Sequence, residues 1–142
     1  RILREAGMLT LREELGTERL DCGASRAFAL ADHQIAHVYL GPGADLEATA
    51  SIFEGRPGIA EVLRGPSRAA AGLDHPRSGD LVLVAEADAW FSYYFWLDDA
   101  RAPDYARTVD IHRKPGYDPF VDAALGYYAL LHAFNESGVP LA

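Results

Sequence analysis

Apolar positions recur at near-helical spacing at Ile2, Leu3, Ala6 and Leu9, and Gly7 stands where so short a helix ends. A helix tail followed by a turn is expected there. From Ala24 to Leu40 small, β-branched and aromatic residues dominate, and the run closes on the breaker Gly41-Pro42-Gly43, which predicts two short strands. Asp45 is a natural N-cap for a helix over Leu46–Glu54, whose Leu46, Ala50 and Phe53 share one face before Gly55-Arg56-Pro57-Gly58 stops it. Ile59–Leu63 reads as a strand, Gly65–Gly79 as a surface loop rich in Pro, Gly, Ser, Arg and Ala, and Asp80–Ala85 as the clearest buried strand. The order β-α-β-β predicts an α+β fold, a small antiparallel sheet with packed helices. Beyond it come the aromatic run Trp90–Trp96, a loop-like Leu97–Pro103, and a C-terminal helix expected within Pro119–His132.

Composition narrows the function classes. With 142 residues, 49% apolar and 24% charged, the chain reads as a single domain, large enough for a core without disulfide or metal staples. The lone Cys22 rules out an intrachain disulfide and any paired-cysteine zinc or redox motif. A net charge of −8 argues against general nucleic-acid binding and against an anionic membrane surface, both of which need a basic face. The longest strongly apolar run, Leu81–Ala85, falls far short of the roughly 20 residues a spanning helix needs.

Three segments invite a chemical reading that their residues do not sustain. His33-Gln34-Ile35-Ala36-His37 has zinc-protease spacing, but Gln34 stands where a general base is needed. On a strand the two imidazoles would also lie roughly 13 Å apart, at about 3.3 Å per residue. Asp32-His33 is what remains as a weak metal candidate. Gly41-Pro42-Gly43-Ala44-Asp45 lacks the lysine of a phosphate loop and the third glycine of a dinucleotide fingerprint, so a capped turn is the simpler reading. The run Trp90–Trp96 holds six aromatics in seven positions between Asp88 and Asp98-Asp99. Base stacking needs a basic groove, so core or pocket wall fits better.

The strongest segment is Asp110-Ile111-His112-Arg113-Lys114-Pro115-Gly116-Tyr117-Asp118-Pro119. A carboxylate and an imidazole two apart on extended chain project to one side, with positive charge beside them and a Pro-Gly turn after. These are parts of a metal and oxyanion site, although a lone loop histidine is commonly just exposed.

Here the sequence resembles the alkaline phosphatase superfamily, in particular its type I phosphodiesterase and nucleotide pyrophosphatase family. The resemblance is carried by Leu3–Leu9, Ala31–Tyr39, Ala87–Phe91 with Tyr93-Tyr94, and Asp110–Asp118. It implies that His112, followed by Gly116-Tyr117-Asp118, is a ligand of one of two divalent metal ions, usually zinc. Asp110 or Asp118 would hold its tautomer, and Lys114, Tyr117, Trp90 and Tyr93 would stand near the metal or the substrate. The family's early metal-binding Asp, its Thr or Ser nucleophile, and its Asp-x-x-x-His and Asp-His-Gly elements have no match here.

The resemblance therefore implies the C-terminal part of a larger α/β hydrolase acting on small phosphoesters or phosphonates. Residues 1–88 would be a small inserted α+β lobe and 89–142 a segment returning to the active site. No catalytic residue is expected within the chain, no metal held stably by it alone, and no activity from it alone. Association into a homo-oligomer through surfaces the larger enzyme covers is a further expectation. The other class open to this sequence is a non-catalytic α+β binding or interaction module with an aromatic face.

Overall fold

The computed structural model describes residues 1–108. Arg1–Pro103 forms one compact α+β unit; the described residues after it hold a short helix, Tyr105–Thr108. The expected C-terminal helix at 119–132 lies outside the described residues.

The unit opens on a one-turn helix, α1 (Ile2–Glu5), ended by Gly7 at φ +67°. Next comes a hairpin that the apolar pattern does not announce, β1 (Thr10–Glu14) and β2 (Thr17–Asp21), a separate two-stranded antiparallel sheet. Its turn is Leu15-Gly16, both at positive φ (51° and 82°), the geometry of a type I′ turn. Leucine is an unusual occupant of that position, and the strands are mostly polar, so neither turn residue nor alternation signals them.

The main sheet is antiparallel throughout, in the order β3-β4-β6-β5, from β3 (Ala27–Asp32), β4 (Ile35–Leu40), β5 (Ile59–Leu63) and β6 (Leu81–Ala85). Because β4 and β5 each run antiparallel to β6 between them, they are parallel to one another. The connection through helix α2 (Leu46–Ser51) is thus a split β-α-β. Asp45 caps α2 as its sequence suggests, Oδ1 accepting from the Ala48 amide at 2.7 Å. Regular α-helix stops at Ser51, and turns carry the chain through Phe53 to Gly55.

Register sorts side chains onto two faces. Ala36 pairs with Leu83 and Val38 with Leu81, so these residues share a face with Ala29 and Ala31 of β3 and Val62 of β5. That face meets Ala50 and Phe53 from the α2 region and Leu3 and Met8 from the N-terminal segment. The alanines leave room for the covering elements to approach, and Leu81, Val38, Ala27 and Ala50 are fully buried. The opposite face carries Phe28, Leu30, His37, Tyr39 and Val82. Residues 64–80 reach this face at Arg77 and Gly79 and include a short helix α3 (Pro66–Ala70) where the composition suggests only loop. Among the described residues no helix is long and apolar enough to cross a membrane.

Candidate functional site

The turn joining β3 to β4 is His33-Gln34, with His33 at φ +50°, a conformation side chains with a Cβ seldom adopt. The turn grips the end of β6 and the segment after it. The Phe91 amide donates to the His33 carbonyl at 2.7 Å, Gln34 Nε2 to the Ala89 carbonyl at 2.9 Å, and the Ala85 amide to the Gln34 carbonyl at 2.9 Å. His33 lies edge-on to Trp90, ring centres 5.9 Å apart, and its Nδ1 is 3.1 Å from Asp32 Oδ1. The resemblance to a zinc-protease motif therefore dissolves: one histidine belongs to a turn and the other to a strand. Gln34 is a structural clamp.

The aromatic run divides in two. Phe95 and Trp96 are buried, with Trp96 Nε1 donating to Asp99 Oδ1 at 2.9 Å, while the Arg1 guanidinium donates to the Trp96 and Leu97 carbonyls at 3.2 and 3.3 Å. Asp98 caps the 3₁₀ turn Asp99–Arg101 through the Ala100 amide. Trp90 is 69% exposed, Tyr93 and Tyr94 48% each. Core packing describes Phe91, Phe95 and Trp96, not Trp90, Tyr93 or Tyr94. Trp90 and Tyr93, the two candidates within the described residues, belong to the exposed half, where Tyr93 meets Tyr94 edge-on at 5.2 Å. His112, Asp110, Lys114, Tyr117 and Asp118 lie outside the described residues.

A different cluster escapes sequence reading. An open cleft of about 280 Å³ is lined by Arg4, Leu11, Arg12, Glu13, Glu18 and Arg101. Its three arginines are each engaged by carboxylates. Arg4 reaches Glu18 at 3.4 Å, Arg12 reaches Asp21 at 2.7 Å, and Arg101 reaches Glu13 at 2.7 Å and Glu18 at 3.5 Å. The Arg12 hydrogen bond, helped by the Ala24 amide, holds the Asp21 carboxyl below its ordinary range. The cluster is a brace between α1, the hairpin and the 3₁₀ turn.

Among the described residues no group of three or more His, Cys, Asp or Glu side chains could hold a metal ion. Asp32 and His33 make a pair only, and His37 Nδ1 already accepts from the Gly79 amide at 3.1 Å. The Cys22 thiol is pushed up by partial desolvation and then by Asp21, away from the thiolate that ligation or attack requires. The described residues therefore do not fit a divalent metal site.

No curated protein and no solved structure matches the chain. A family model does, over residues 1–118, a span reaching from α1 through the exposed aromatics to His112 and Asp118. On that match the chain belongs to the type I phosphodiesterase/nucleotide pyrophosphatase family.

Proposed function

We propose that this chain is the C-terminal part of a metal-dependent hydrolase of small phosphoesters or phosphonates, with His112 as a ligand of one of two divalent ions, zinc being the expected metal. The observation that carries the reading is the family match, which includes the whole Asp110–Asp118 element. Catalytic zinc takes about three protein ligands, so His112 acts with residues supplied by elements that this sequence does not match, as does the nucleophile. Asp110 or Asp118 would accept from the far nitrogen of His112 and hold its tautomer. Lys114 and Tyr117 would lie near the phosphoryl group, and the exposed faces of Trp90 and Tyr93 suit the organic part of the substrate.

The test compares this chain with a protein that also carries the family's upstream elements, by metal content and by hydrolysis of a chromogenic phosphodiester. The longer protein should hold about two ions and turn over, and His112→Ala should remove most of that activity. The chain alone should do neither. Full activity in the His112→Ala enzyme would overturn the ligand assignment, and stoichiometric zinc on this chain alone would overturn the division of the site.

A second reading, a non-catalytic binding module, draws on the exposure of Trp90, Tyr93, Tyr94 and Leu97 within one short stretch. A longer protein that binds no metal and hydrolyses nothing would favour it. Association through such a face would show as a concentration-dependent mass in light scattering.

A further inference from the structure

Residues 64–80, which join β5 to β6, form a strap tied to the outer face of the main sheet. Two contacts tie its end to β4 and a third, from Arg68, lies within the strap. Tyr39 Oη donates to the Arg77 carbonyl at 2.9 Å, Arg68 donates to the Gly79 carbonyl, and the Gly79 amide donates to His37 Nδ1 at 3.1 Å. Gly79 is buried and pressed against β4: a Cβ there would stand 2.6 Å from the Val38 carbonyl oxygen. Val82, cross-strand from His37 on the same face, is fully buried.

A backbone amide can donate only to a nitrogen that keeps its lone pair, so the Gly79 contact requires His37 with Nδ1 bare and the proton on Nε2. Protonation makes Nδ1 a donor facing a donor. From the Gly79 contact we infer that His37 is a pH-sensitive latch, which gives up the Gly79 amide and loosens the strap at that one point when its imidazole takes a second proton. Histidine is the side chain whose charge changes between pH 5 and 8.

The acceptor role of Nδ1 sets the direction, and no neighbour among the described residues reverses it. The cross-strand neighbours on β3 and β6 are apolar, Leu30 and Val82. On β4 the Tyr39 ring stacks at 6.4 Å. The strap presents Arg68 through Gly79, Arg77 through its carbonyl, and His75, whose Nδ1 accepts from the Arg77 amide at 3.2 Å. Asp80, where the strap meets β6, is engaged by the Leu40 amide at 2.8 Å. Among the described residues no carboxylate pairs with His37 to offset the lost bond. The contact is therefore present on the alkaline side and lost as pH falls.

The experiment is nuclear magnetic resonance on the whole chain between pH 8 and 5. Above the transition, imidazole ¹⁵N shifts should show His37 with Nδ1 unprotonated. Protection of the Gly79 amide, corrected for intrinsic exchange, should drop about fivefold across the His37 titration, the net worth of one hydrogen bond. His37→Gln offers an amide oxygen at every pH and should abolish that drop. An Nδ1-protonated tautomer at pH 8, a pH-independent Gly79 amide, or an undiminished drop in His37→Gln would each overturn the latch. Should the variant not fold, the wild-type tautomer and protection profile decide the matter.

Discussion

Gly79 and Asp21 show how much one position can carry. At Gly79 the obstacle to a side chain is backbone, with Val38 N at 2.7 Å and the Leu81 carbonyl oxygen at 2.8 Å from a Cβ, so neither neighbour can swing away. Gly79→Ala should cost about 1–3 kcal/mol, the range for forcing extra volume into a packed site, read as a lower denaturation midpoint at unchanged m-value. Asp21 answers to pH. Its carboxyl is held below its ordinary range first by the Arg12 hydrogen bond and then by the Ala24 amide. The stabilisation this brings is complete above the ordinary carboxylate range and is lost as pH falls through the lowered titration of Asp21. Arg12→Ala should raise the Asp21 midpoint, measured from its side-chain carboxyl carbon. An unchanged midpoint would show that the ion pair does not persist in solution.

At the scale of elements, the β1–β2 hairpin is the least expected feature. Its register sets Glu13 opposite Glu18 and Arg12 opposite Arg19, arrangements that repel. The repulsion is offset by partners off the direct rung: Arg12 pairs with Asp21, Arg19 lies 3.6 Å from Glu14, and Arg101 binds both Glu13 and Glu18. Arg101→Ala should lower stability by about 1 kcal/mol, a small effect because the arginine is nearly half exposed. That loss should shrink in high salt, which screens the opposed carboxylates. The turn supplies the converse experiment. Leu15 is fully exposed at φ +51°, so it contributes strain without packing. Leu15→Asn should stabilise the chain by about 1 kcal/mol, since asparagine tolerates the left-handed region, seen as a rise of a few degrees in melting temperature.

At the scale of the whole molecule, the β-α-β-β order, the capped α2 and the buried β6 were legible because each rests on short-range rules: a breaker, a cap, an apolar run of strand length. The polar hairpin was not, because the like charges on its rungs are offset in part by ion pairs with α1 and with Arg101, some 80 residues away. Nor was the division of the aromatic run, since which rings are buried depends on where the His33-Gln34 turn grips the chain and where Arg1 takes the Trp96 carbonyl. The candidate site was legible only in part. His112 and its neighbours stood out through a motif, and the family match extends over them; Trp90 and Tyr93 are found exposed. Sequence by itself determined the family and the elements marked by a breaker, a cap or an apolar run, α2 and β3 to β6, since periodicity, capping and motif spacing are properties of neighbouring residues. Strand order, the two faces of the sheet, the seat of Gly79 against β4 and the hydrogen bond to His37 were decided only in three dimensions, where distant residues meet and sterics and desolvation choose among locally equivalent arrangements.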